Sequence, residues 1–188
     1  MRARFTLVSG LAIVLAGGML LAWAQESAGE KKVPAPRASK NAAFERMKQL
    51  AGEWYNSEAK EGDKNAGPSV IYRVVSNGSV VMEDMFPGTD HNMITMYYVD
   101  GDDLVLVHYC AIGNQPRMKA ERSEDSRKID FKFAGGSNVD PDKDIHMHEL
   151  TLTFVDADHI TAEWRKSEEG KVGPGATFKL ERRKARAG

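Results

Sequence analysis

The sequence contains a single cysteine, Cys110. An internal disulfide is therefore excluded, as is any zinc site built on a cysteine cluster. In an oxidising compartment an exposed lone thiol is a liability, so Cys110 is expected to be buried as a small hydrophobe. Charge of one sign is also missing: 26 Lys and Arg against 27 Asp and Glu leave a formal net charge of −1. That balance argues against nucleic acid or an anionic membrane surface as the partner. The chain shows no Ser-His-Asp order, no phosphate loop and no zinc-protease helix motif, which removes the commonest hydrolase and nucleotide-binding readings. Only one stretch, Phe5 to Leu21, is a long apolar run.

That run follows Arg2 and Arg4 and is followed by Ala22-Trp23-Ala24, a small-x-small pattern. Together these features predict a secretory signal peptide over residues 1–24, cleaved after Ala24, and a secreted or periplasmic protein. The run is short for a retained span, and no cysteine near the cleavage site offers a lipid anchor. Cleavage would remove Arg2 and Arg4 and take the net charge from −1 to −3. Residues 25–40 are Glu, Lys, Ser, Gly, Pro and Ala with almost no large apolar side chain, and read as a disordered linker. Residues 41–183 are then one domain, and 184–188 a short basic tail.

One helix is expected at the start of the domain. Phe44, Met47 and Leu50 recur at three-residue spacing, Asn41 is suited to cap the start and Gly52 to end it. After Gly52 the period changes to two. Candidate strands run over 53–60, 69–76, 79–86, 92–100, 104–110, 117–122, 127–134, 145–155, 159–166 and 176–183. Asn77-Gly78 and Asp100-Gly101 supply hairpin turns, while 61–68 and 135–143 read as longer loops. About ten strands and one short helix predict an all-β, antiparallel up-and-down barrel, with the helix closing one end. Closure removes the sheet edges that a flat sheet would expose, although a two-sheet sandwich fits the same pattern.

The site residues come from the alternation. Leu150, Leu152 and Phe154 share one face of 145–155, and His146 and His148 fall in the same register. Buried imidazoles need hydrogen-bonding partners, so this face points to a binding cavity. If Leu104, Leu106, His108 and Cys110 also face inward, His108 joins the other two histidines. Three imidazoles could then ligate zinc or another borderline metal with an open position for water or substrate, but the favoured reading is that His146 and His148 bond to polar side chains and to a ligand's polar groups. Asn114, Gln115 and Arg117 form a polar cluster able to read a carboxylate or phosphate, or else a turn beside a solvated strand residue. Of the adjacent Glu83 and Asp84, one should project inward. Tyr97 and Trp164 add aromatic wall.

Leu50-Ala51-Gly52-Glu53-Trp54, placed after a short helix, resembles the Gly-x-Trp opening of lipocalins and their calycin relatives. The resemblance implies that Trp54 packs near the closed end against an arginine of the last strand, here Arg182, with Gly52, Trp54 and Arg182 structural. The stretch from about Phe44 to Arg182, with His108-Tyr109-Cys110, the residues from Gly113 to Met118 and His146-Met147-His148, is similar to secreted bacterial lipocalin-like proteins. Nitrobindin-type haem barrels are more distant: their Gly-x-Trp-x-Gly-x-Gly opening is absent, since Trp54 is followed by Tyr55, Asn56 and Ser57. The expected function is a binding protein for a small, mostly apolar ligand with a polar head. Its site would be His108, His146, His148, Arg117, Tyr97, Leu150, Leu152, Phe154 and Trp164. No catalytic residue and no cofactor is assigned. The alternatives are a zinc- or haem-dependent enzyme on the histidine cluster, and an envelope interaction protein with a packed barrel.

Overall fold

The computed structural model describes residues 40–59 and 67–183. The expected signal peptide, all of the linker but residue 40, and the basic tail lie outside the described residues. One helix, α1 (Ala42–Lys48), precedes β1 (Gly52–Asn56), β2 (Val70–Val75), β3 (Val80–Met85), β4 (Met93–Asp100) and β5 (Asp103–Tyr109). Then follow β6 (Gln115–Ala120), β7 (Lys128–Ser137), β8 (His146–Phe154), β9 (His159–Glu168) and β10 (Lys171–Arg182). Each strand pairs antiparallel with the next, and β1 also pairs with β10, so the ten strands form a closed barrel. Closure satisfies the backbone N–H and C=O groups that an open sheet would present at its edges.

Period-two alternation puts one face of every strand inside. Val81 and Met85 of β3, Leu104 and Leu106 of β5, Leu150, Leu152 and Phe154 of β8, and Ile160, Ala162 and Trp164 of β9 are all buried in one core. This decides the orientation of β5, whose two faces are both largely apolar: Leu104, Leu106 and His108 point inward, and Tyr109 points to solvent. Cys110 is half-buried, with its Sγ 3.9 Å from the Met93 sulfur.

α1 is anchored to the barrel end formed by the even-to-odd turns. Asn41 caps it by accepting from the Phe44 N–H at 2.9 Å, and its amide donates to the Asp102 carbonyl between β4 and β5. Arg46 donates to the Ser126 carbonyl and stacks over Phe154 at 4.2 Å. Phe44, Met47 and Leu50 are buried, which supplies the tertiary support that so short a helix needs. At the same end Arg182 lies over the Trp54 indole at 4.5 Å, and its guanidinium donates to the Ala51 and Gln49 carbonyls at 2.6 and 2.7 Å.

Gly52 does not end the helix, as the sequence pattern led one to expect. Gln49 is the C-cap, and Gly52 opens β1 at φ +133°, where a Cβ would come within 3.1 Å of an Arg182 nitrogen. Both the backbone conformation and the close approach of the guanidinium select glycine. Several strand boundaries also differ from the sequence reading. β7 runs on through Gly135 and Gly136, and β9 and β10 continue to a tight turn at Glu169-Gly170, with φ of 51° and 72°. Gly173-Pro174-Gly175 reads as loop by composition, yet it forms β10 beside an irregularity between Pro174 and Thr177. A Cβ at Gly175 would sit 2.3 Å from the Trp164 carbonyl oxygen, so the backbone itself packs there.

Candidate functional site

The barrel interior holds a belt of polar side chains. Tyr72 on β2 lies opposite Glu83 on β3, Glu83 opposite Thr95 on β4, and Thr95 opposite His108 on β5. Cross-strand neighbours on one face have Cβ atoms about 4.5–5.5 Å apart, so the four side chains form a continuous row. All four are at most 1 % exposed. The Tyr72 and Tyr97 hydroxyls each donate to a different Glu83 oxygen at 2.7 Å. Burial raises the Glu83 pKa, while hydrogen bonds from Tyr72, Tyr97 and Thr95 pull it down; both phenols are held well above their ordinary value, first by burial and then by the neighbouring carboxylate.

The row ends at His108. Thr95 Oγ1 and His108 Nδ1 are 2.9 Å apart. The imidazole packs against Trp164 with ring centroids 4.9 Å apart. His108 Nε2 and Trp164 Nε1 are both buried without a hydrogen-bond partner. Buried polar atoms are seldom left so, and here two lie in adjoining rings of the barrel wall.

Burial also lowers the His108 pKa, from 6.5 to about 4. Because the folded value is depressed below the unfolded one, the unfolded chain binds more protons between those two values. The neutral imidazole's contribution is therefore fully present above pH 6.5 and is lost as pH falls towards 4, about 3 kcal/mol in all. Urea unfolding of the wild type and His108→Gln at pH 7 and pH 4 checks this. The wild type should lose that amount more than the variant, and equal losses would contradict it.

A second polar group sits at the end of the barrel away from α1. The Asp144 carbonyl can only accept, so His146 Nδ1 donates to it at 2.8 Å. His146 Nε2 is then the acceptor for His148 Nδ1 at 3.0 Å. Phe133 of β7 packs on both rings, with centroids 4.6 Å from His146 and 5.0 Å from His148. The β8–β9 register shifts between Met147 and Glu149, placing His148 at a bulge, where it is half-buried and His146 fully buried. Burial, and then the neighbouring His146, lower the His148 pKa. Close by, Asn114 donates to the Ile145 carbonyl at 2.8 Å, and its Oδ1 is buried without a partner.

The same end carries a recess of about 740 Å³, lined by Pro68, Phe86, Pro87, His91, Met93 and Phe178 among others. Met93 precedes Thr95 by two residues on β4, and Phe178 pairs with Ala162, two residues before Trp164. Met93 and Phe178 are partly buried and pack against the barrel core. A volume of this order is usual for a small-molecule site.

Two expectations from the sequence are corrected. Arg117 does not reach the interior: it pairs with Asp100 at 2.8 Å on the outer wall, because it sits one residue out of register with the buried Met118. Gln115 bonds to the Gly113 carbonyl and to Asn138, so Asn114, Gln115 and Arg117 do not act together. Nor do His108, His146 and His148 make a three-imidazole centre. Among the described residues no group of three or more His, Cys, Asp or Glu is placed to hold a metal ion. His108 is engaged by Thr95 and Trp164, whereas His146 and His148 engage each other.

Of the remaining expected site residues, Trp164 stands at the inner contact and Tyr97 on the Glu83 belt, with its ring 5.7 Å from Phe131. Leu150 and Leu152 are buried in the core, and Phe154 lies under Arg46 at the helix end. Glu83, Tyr72, Thr95 and Phe133 were absent from that set. The signal for Glu83 was its parity with Val81 and Met85, an acid on an otherwise apolar face. No protein-family model matches the chain, and no curated protein matches it either.

Proposed function

We propose that this protein is an exported, lipocalin-like carrier that holds a small, mostly apolar molecule with a polar head inside its barrel. The observation that carries this reading is the pair of buried, unpartnered nitrogens, His108 Nε2 and Trp164 Nε1, in the barrel wall. A ligand that satisfied them would recover the free energy that two stranded polar atoms cost. The closed barrel, the recess beside Met93 and Phe178, and the Gly52-x-Trp54 opening with Arg182 over the indole all support the same reading. The expected signal peptide supports export.

Native mass spectrometry of the exported protein tests both halves. The expected spectrum shows a chain beginning at Gln25 and a non-covalent mass increment that disappears on denaturation. A chain retaining Met1 would remove the export half. A protein that carries no increment, and takes none up after extraction and incubation with a lipid mixture, would leave a packed barrel as the reading in its place.

A further inference from the structure

The recess at the end of the barrel away from α1 differs in composition from the barrel core, and the difference narrows the class of molecule that the carrier takes. This inference rests on the carrier reading above. The core includes many branched aliphatic side chains, among them Leu104, Leu106, Leu150, Leu152 and Ile160. The large apolar side chains described around the recess are Phe86, Phe178, Met93, Pro68 and Pro87, with no leucine, isoleucine or valine. Phe86 and Phe178 meet edge-on, with ring centroids 5.6 Å apart and planes at 63°. Both rings are partly buried against the core and line the recess.

Phe86 reaches that place at a cost to its backbone. Its φ is +51°, in the left-handed region that a bulky side chain seldom adopts. Its N–H donates to the Ser69 carbonyl at 2.8 Å, and its carbonyl accepts from the Thr89 N–H and hydroxyl at 3.2 and 2.9 Å. Glycine would make the same turn without strain, so what phenylalanine adds is the ring beside Phe178.

Ring chemistry then selects the ligand. An aromatic molecule can stack offset on one phenyl group, meet the edge of the other and take the Met93 sulfur at its own edge. A saturated molecule of the same size displaces the same water but makes no contact of these kinds. Ser69, Thr89 and His91 line the same recess and offer hydrogen bonds to a substituent on the ring. A volume of about 740 Å³ admits a fused-ring body. We propose that the recess is a subsite for a planar aromatic molecule, held in the edge-to-face corner of Phe86 and Phe178. Binding is non-covalent.

The test is competition against N-phenyl-1-naphthylamine, whose fluorescence rises in an apolar site, on the exported protein after extraction of bound lipid. The competitors are 2-naphthol and decahydro-2-naphthol, which share a carbon skeleton and a hydroxyl and differ in aromaticity. The expected result is that 2-naphthol displaces the probe at about tenfold lower concentration, as ring–ring contacts of ordinary strength require. Phe178→Leu keeps an apolar side chain and removes a ring, and should bring the two competitors to within about threefold of each other. Phe86→Leu should do the same, and Arg117→Ala on the outer wall should leave the ratio unchanged. Thermal melts confirm that each variant is folded, and either phenylalanine variant decides the matter if the other is not. Decahydro-2-naphthol displacing the probe as well as 2-naphthol, or an unchanged ratio in a folded phenylalanine variant, overturns the aromatic assignment and leaves the carrier reading standing. Binding of neither competitor nor probe, by a protein that also carries no native increment, overturns both.

Discussion

Trp54→Ala should destabilise the domain by about 3–5 kcal/mol, the range for truncating a large buried aromatic. Trp54 is fully buried, its indole N–H donates to the Leu50 carbonyl at 2.7 Å, and its ring meets Tyr72 edge-on with centroids 6.4 Å apart. The loss extends beyond the cavity. Trp54 is the cross-strand partner of Arg182, and that arginine joins the last strand to the carbonyls that follow α1. Removing the indole takes away the surface on which the guanidinium lies, so strand closure and helix docking weaken together. Denaturant unfolding measures the effect. Ligand content should follow the fraction folded and not the identity of the ligand, since Trp54 stands at the helix end of the barrel. A variant with wild-type stability and altered ligand content would refute this placement.

Glu83→Leu should be as costly for a different reason. The substitution leaves the Tyr72 and Tyr97 hydroxyls buried with no acceptor, at about 1–3 kcal/mol each, so a loss of about 2–6 kcal/mol is expected. The sharper measurement is recovery. Glu83→Leu combined with Tyr72→Phe and Tyr97→Phe removes the stranded hydroxyls together with their acceptor, and the triple variant should regain most of the loss in urea unfolding. If the penalties merely add, the leucine's misfit and not the broken hydrogen bonds was the cause.

Most of the architecture was legible along the chain. A closed sheet with one buried face per strand requires alternation, and alternation is a local property of sequence; hence ten strands near 53–183 and a helix capped by Asn41 could be read directly. The reading failed where a tertiary contact overrode composition. Gly173-Pro174-Gly175 looks like loop, but the close approach of β10 to the Trp164 carbonyl makes glycine a requirement of the strand. Gly52 has the composition of a helix stop, and its role is set by Arg182, 130 residues later in the chain.

The site divides in the same way. Parity alone put His146, Trp164 and Leu150 on inward faces, because side chains two apart on a strand must share a side, while the face of β5 that carries His108 was left open. Which inward groups meet depends on the pairing register between strands distant in sequence, and no local pattern encodes that. Register set Tyr72, Glu83, Thr95 and His108 side by side, sent Arg117 out to Asp100, and put His108 against Trp164 and away from His146 and His148. The sequence by itself determined that about ten antiparallel strands would each bury one face and that His146 would lie on such a face, a barrel and a sandwich both fitting that pattern. The tertiary structure decided which nitrogens are left without a partner, since hydrogen-bond satisfaction is a property of neighbours in space and not of order along the chain.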